Sequence, residues 1–256
     1  MWRIGAGMFL VLGMVASGLR AEVAAPGTVP GLKVDGEKFK FDDGTLKFDG
    51  LLFKPEGKGP FPAMIISHGL GGSPENFGRP KAAVMVKWGY VCIAPTYTFT
   101  DKDSEKRNWG ASPENLRRAA KCVDILASLP EVDAKRLCAY GNSMGALVTI
   151  GLAAQEPERL AAAAITAGGI VDRPARAAPS KEVAQKIRTP FLILQGDKDT
   201  TCPPEQSALL EEVLKANKVE CERVLFPGVG HDLHVVKAAE VNAKIEAWFK
   251  KYAAGK

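Results

Sequence analysis

Histidine is scarce in this sequence: three in 256 residues, His68, His231 and His234. Imidazole chemistry must therefore run through one of them. The cysteines are also few and unpatterned. Cys92, Cys122, Cys138, Cys202 and Cys221 include no Cys-x-x-Cys, which argues against a thiolate metal site. Their odd number leaves at least one free or paired with another molecule. Cys92 and Cys138 sit in apolar, β-branched runs and read as small buried hydrophobes. Cys202 and Cys221 fall at opposite ends of one predicted helix and are not expected to pair. Basic residues are scattered, with no dense Lys/Arg run interleaved with aromatics, and the formal charge is only +5. Nucleic acid is not the expected partner. There is no internal repeat and no second-domain boundary. What remains, 46% hydrophobic and 25% charged, suits one globular domain with a large core.

Near the start, Ile4 to Leu19 is uncharged and mostly apolar, but falls short of the ~20 residues that cross a bilayer comfortably. Arg3 precedes it, and small residues around Gly18 and Ala21 supply a cleavage pattern. Residues 1–21 therefore read as a secretory signal, with an uncleaved anchor as the alternative. The expected location is periplasmic or secreted, with no stable membrane association after cleavage. Removing Arg3 and Arg20 with that segment lowers the charge from +5 to +3. Residues 22–37 read as an irregular lead-in, and 38–256 as the single folded domain.

Within that domain, Phe39, Phe41, Leu46, Phe48, Leu51 and Phe53 alternate around Asp42-Asp43-Gly44, a hairpin signal. Continuous apolar runs at 63–67, 90–94, 137–140, 161–165 and 191–194 are the mark of strands covered on both faces. A further strand is predicted at 219–226. Helical patterns fall between them at 74–87, 113–129, 144–154 and 203–216, and a closing amphipathic helix at 235–252. Strands alternating with helices predict an α/β fold. Its sheet should have about eight strands, mostly parallel, with antiparallel pairing at the N-terminal edge and helices on both faces. Reactive groups in such sheets gather beyond the C-terminal ends of the strands.

One stretch at such an end organises the chemistry. Leu137 to Tyr140 runs into Gly141-Asn142-Ser143-Met144-Gly145 and then into a small, apolar helix. A turn that lifts a serine above a sheet crowds its neighbours, so the flanking positions must lack bulk. This is the Gly-x-Ser-x-Gly pattern of a nucleophile elbow. A serine hydroxyl needs a base. His231 lies in a glycine-rich loop after the last strand, in the chain order serine, acid, histidine. His68 is expected to shape a loop and His234 to be a surface residue at a helix start. The histidine needs a carboxylate to orient it. The loop Gln195 to Pro203 offers Asp197 and Asp199. Asp199 is preferred because Gly196 starts a turn that lets it reach back over the sheet edge, and Asp197 reads as a turn or capping residue. Oxyanion donors are expected at the backbone N–H of Met144 and, in His68-Gly69-Leu70-Gly71-Gly72, at that of Leu70. Tyr97 and Trp109 are candidates to line the substrate pocket, with ordinary packing as the alternative.

Taken together, Gly59 to Ala63 leading to His68-Gly69, the elbow, Gly196-x-x-Asp199-x-x-x-Pro203 and Gly230-His231 resemble the α/β-hydrolase superfamily. Within it, residues 45–250 look like the dienelactone hydrolase family. The namesake enzymes of that family carry a cysteine at the elbow. Ser143 is instead similar to the esterases and peptidases that share the fold. The resemblance implies a serine hydrolase acting through an acyl-enzyme on small-molecule or polymer-borne esters, with no metal or organic cofactor. A peptidase with the same machinery is the close alternative, and a non-catalytic binding protein the distant one. Where family members carry a lid, this chain has only Val171 to Thr189, 19 residues. So short a lid suggests an open site able to accept ester groups on larger molecules. Arg173, Arg176, Lys181, Lys186 and Arg188 read as a solvated face, with a preference for acidic substrates as the alternative.

Overall fold

The computed structural model describes residues 29–98, 108–173 and 177–253. The expected signal segment 1–21, the first part of the lead-in (22–28) and the centre of the loop before Trp109 lie outside the described residues. So does Arg176 of the insertion.

Nine strands form one sheet: β1 (Leu32–Asp35), β2 (Lys38–Asp42), β3 (Lys47–Phe53), β4 (Phe61–Ser67), β5 (Val91–Pro95), β6 (Val132–Asn142), β7 (Ala162–Thr166), β8 (Phe191–Gly196) and β9 (Cys221–Phe226). Their order is β1-β2-β3-β5-β4-β6-β7-β8-β9. β1, β2, β3 and β5 pair antiparallel in turn, whereas β5, β4 and β6 to β9 are parallel. One strand more than expected comes from β1, inside the stretch read as irregular. Most of its residues are exposed, so it carries no alternating pattern. Ladder bonds to β2, not burial, make it a strand.

The helices are α1 (Arg79–Met85), set between a π-helical turn (Pro74–Gly78) and a 3₁₀ turn (Val86–Trp88), α2 (Pro113–Ser128), α3 (Met144–Gln155), α4 (Lys181–Ala184), α5 (Pro204–Ala216), α6 (Leu233–Val236) and α7 (Ala238–Ala253). The closing helix expected at 235–252 is thus two helices, broken at Lys237. The break lets α6 bury Leu233 while Val235 and Val236 face solvent. No helix among the described residues is long and apolar enough to cross a membrane.

Two apolar layers cover the sheet. One joins α2, α3 and α5 to Ile65, Ile93, Ala139, Ile165 and Ile193. The other joins α1, α6 and α7 to Met64, Cys92, Tyr140 and Leu194. Each large apolar side chain fully removed from water contributes ~1.5–3 kcal/mol, and α7 alone buries Val241, Ile245, Trp248 and Phe249. Residues Met144 to Ala154 of α3 are all buried, which explains why that segment carries no charged residue. All five cysteines are free, and Cys92, Cys122 and Cys138 are buried.

The strand order reverses direction at β4: β5 lies on one side of it and β6 on the other. Loops leaving β4 and β6 therefore diverge and open a crevice at their C-terminal ends.

Candidate active site

Ser143 stands in that crevice, between β6 and α3, at φ 54 and ψ −118. That left-handed backbone is strained for a residue with a Cβ. It survives because the chain passes extremely close on both sides. A Cβ at Gly145 would lie 2.0 Å from the Ser67 carbonyl oxygen, and one at Gly141 2.1 Å from that of Gly145. Glycine is the residue both contacts admit. The Ser143 N–H donates to the Thr166 carbonyl at 3.0 Å, tying the elbow to β7.

His231 and Asp199 arrive on two loops that brace each other. The Lys198 N–H donates to the Val229 carbonyl at 2.9 Å. The Gly228 N–H donates to Asp197 Oδ1 at 2.7 Å, so Asp197 serves as a turn anchor. A Cβ at Gly196 would lie 2.3 Å from the Val229 carbonyl oxygen, so these loops also touch through a glycine. The result is a continuous polar chain. His231 Nε2 lies 2.9 Å from Ser143 Oγ, and His231 Nδ1 lies 2.9 Å from Asp199 Oδ2 and 3.1 Å from Oδ1.

Asp199 has a fully buried side chain. Its Oδ1 also accepts the N–H groups of Thr201 (2.9 Å) and Cys202 (2.8 Å), and its Oδ2 accepts Gln195 Nε2 (3.0 Å). A carboxylate so placed can only accept. It therefore holds the His231 proton on Nδ1 and turns the Nε2 lone pair toward the serine O–H. Gln195 was missed by sequence reasoning; its one signal is its place directly before the Gly196 turn. Among the described residues, neither the Met144 nor the Leu70 N–H has an acceptor. Both lie beside Ser143, one opening α3 and the other on the loop after β4.

The cleft over Ser143 has a volume of about 300 Å³ and is lined by Gly69 to Gly72, Asn76, Phe77, Asn142, Ser143, His231, Asp232 and His234. Larger hollows beside β1 to β3, of about 520 and 610 Å³, contain no nucleophile and base. Tyr97 and Trp109 do not line the cleft. Tyr97 is buried; its hydroxyl meets Ser67 Oγ at 2.9 Å and its N–H donates to His68 Nε2 at 3.2 Å. Trp109 packs on the core. Both are packing aromatics: Tyr97 is held beneath the loop after β4 by Ser67 and His68, and Trp109 lies against the core.

His68 is buried, with Nδ1 2.9 Å from the Gly69 carbonyl. Because Nε2 accepts from Tyr97, the proton sits on Nδ1 and is donated to that carbonyl. Burial lowers the pKa of this ring, and its bonds shape the loop. His234 departs from expectation. It faces the cleft three residues after His231, against the Phe77 ring at 5.6 Å, and among the described residues its buried Nδ1 has no partner. Burial and the nearby Lys81 ammonium push its pKa down to about 4. None of the described residues of the Val171–Thr189 insertion lines the cleft. Its α4 packs on α3 and α5. Among the described residues, no three His, Cys, Asp or Glu side chains cluster as a metal site.

Residues 48–253 match the Dienelactone hydrolase family. A candidate carboxymethylenebutenolidase of Escherichia coli (strain K12) is 26% identical over 216 residues, covering 76% of this chain and 78% of that one. A candidate dienelactone hydrolase of Klebsiella pneumoniae superposes with a TM-score of 0.69 at 23% identity, covering 80% of this chain and 94% of that one. The Pyrococcus horikoshii acylaminoacyl peptidase superposes at 0.71 with 19% identity, covering 86% of this chain but 42% of that one.

Proposed function

The chain is a hydrolase of the dienelactone hydrolase family, and we propose that it is an exported serine hydrolase cleaving carboxylic esters through an acyl-enzyme. The observation that carries this reading is the Ser143–His231–Asp199 hydrogen-bonded chain, 2.9 Å at each step. Ser143 Oγ attacks the ester carbonyl carbon while His231 Nε2 takes its proton. The carbonyl π pair moves onto oxygen, where the N–H groups of Met144 and Leu70 hold it. Asp199 accepts from Nδ1–H throughout and stabilises the imidazolium without taking the proton. Collapse of the tetrahedral intermediate expels the alcohol, which receives the proton from His231. Water, deprotonated by the same imidazole, then hydrolyses the serine ester and restores the enzyme.

Ester over amide is favoured by the match of residues 48–253 to the Dienelactone hydrolase family. The Arg3-led apolar segment supports export; cell fractionation with N-terminal sequencing tests it, and protein found only in the cytoplasm with Met1 intact overturns it.

A fluorophosphonate should label the intact protein and not Ser143→Ala, and ester turnover should fall on the order of a million-fold in that variant. Equal labelling of both proteins removes Ser143 from the mechanism. A panel of chromogenic esters beside peptide amides decides the substrate class: amide turnover without ester turnover reverses the assignment.

A further inference from the structure

The residue before the nucleophile is polar where the strand leading to it is apolar. Asn142 ends β6 with 5% of its surface exposed. Burying a carboxamide is costly unless both of its ends are used. One end is accounted for: Asn142 Oδ1 accepts from Thr166 Oγ1 at 2.8 Å. A carbonyl oxygen cannot donate, so the single Thr166 hydroxyl proton is committed there. The Tyr140 hydroxyl, 3.0 Å from Thr166 Oγ1, must then donate to Thr166. Tyr140 and Thr166 are both fully buried. The row therefore runs in one direction, from Tyr140 to Thr166 to Asn142.

Fixing Oδ1 fixes where the other end points. A Cβ placed on Gly69 would lie 3.4 Å from Asn142 Nδ2 and 3.3 Å from Ser143 Cβ. The amide nitrogen thus shares one small space with the nucleophile, and that space exists because residue 69 has no side chain. Among the described residues, no acceptor takes Nδ2, and it is not sealed from the cleft. Asn142 lines that cleft together with Ser143, Phe77 and His234. The amide nitrogen, an N–H donor with no acceptor among the described residues, therefore borders the volume a substrate fills.

We propose that Asn142 is a substrate-contacting donor selecting esters with an ether, hydroxyl or carbonyl oxygen close to the scissile bond, with Thr166 and Tyr140 as its positioning residues. The assignment rests on the serine hydrolase reading above. Substrates lacking that oxygen leave a buried donor unpaired, which penalises them in kcat/KM.

Isosteric pairs measure this. On the acyl side, 4-nitrophenyl methoxyacetate is compared with 4-nitrophenyl butyrate. On the alcohol side, 2-methoxyethyl acetate is compared with n-butyl acetate by pH-stat. The quantity read is the oxygenated-to-methylene ratio of kcat/KM, in which the intrinsic reactivity difference cancels between wild type and variant. Asn142→Leu should lower that ratio roughly three- to tenfold in at least one pair, the size of one hydrogen bond. Asn142→Asp keeps the bond from Thr166 but turns an acceptor outward, and should lower the ratio at least as far. Thr166→Val frees the carboxamide to rotate; it should lower the ratio less, and add nothing in the Asn142→Leu background. If Asn142→Leu does not fold, the Asp and Val variants carry the test. A ratio within twofold of wild type in both pairs overturns the proposal, as does an equal loss for both members of each pair. Fluorophosphonate labelling keeps the two readings apart. Labelled wild type with unmoved ratios sinks only the Asn142 assignment, whereas unlabelled wild type sinks the serine mechanism.

Discussion

Replacing Lys81 with methionine should stabilise the protein. Lys81 projects from α1 with 8% of its surface exposed. Its Nζ has an amide oxygen for company, Asn242 Oδ1 at 3.3 Å, and lies 5.8 Å from the Tyr140 ring centroid. Among the described residues, no carboxylate pairs with it. Burial pushes its pKa from 10.5 down to about 8. At 1.36 kcal/mol per pH decade, keeping that ammonium charged in the folded state costs about 3 kcal/mol. The sign follows from proton counts. Between pH 8 and 10.5 the unfolded chain binds more protons than the folded one, so stability rises with pH across that window. Below pH 8 the full cost is present. Methionine keeps an unbranched apolar stem and removes the charge. The lost bond to Asn242 offsets about 1 kcal/mol, and Asn242 is only half-buried, so water can replace the amine. The expected net gain at pH 7 is about 2 kcal/mol, or roughly 4–8 °C in Tm for a chain of this size. Urea unfolding of both proteins at pH 7 and pH 10 measures it, and the advantage of Lys81→Met should shrink at the higher pH. The His234 pKa, followed by the NMR shift of its ring proton, should rise in the variant because a repelling charge is gone. A variant less stable than wild type at pH 7, or an advantage unchanged at pH 10, would refute the reasoning.

Three further outcomes follow from the geometry. Asp199→Asn keeps an oxygen for the Thr201 and Cys202 N–H groups but turns an NH₂ toward His231 Nδ1. The imidazole then carries its proton on Nε2, facing Ser143, and kcat at pH 7 should fall on the order of 10⁴-fold; steady-state ester kinetics measure this. Gly145→Ala places a Cβ 2.0 Å from the Ser67 carbonyl oxygen, and neither backbone can yield. It should lose about 4 kcal/mol or more in urea unfolding, and wild-type stability would contradict the close approach. Tyr97→Phe removes the hydroxyl bonded to Ser67 and should cost about 1 kcal/mol with KM for esters within twofold; a large KM change would return Tyr97 to the pocket.

Much of this molecule is legible from local pattern. The continuous apolar runs that became β4, β5, β7 and β8 leave no other assignment, because strands covered on both faces need apolar residues in succession. The elbow is legible because steric crowding admits only glycine two positions before and after the serine, and that constraint is written in five consecutive residues. The preference for Asp199 over Asp197 also follows from a local turn, and the two side chains do part there: one meets His231 and the other anchors Gly228.

Tertiary structure decided the rest. β1 has almost no buried surface, so only its pairing with β2 defines it. Tyr97 has the composition of a pocket residue, and its inward turn toward Ser67 depends on where the chain leaves β5. His234 looks like any residue at a helix start until the break at Lys237 sets α6 against Phe77. The Tyr140–Thr166–Asn142 row joins two strands whose side chains meet only once β6 and β7 are in register. Spacing along a chain specifies which residues share a face or a turn. Which faces and turns meet is specified by packing, and the distances on which the chemistry depends are set there.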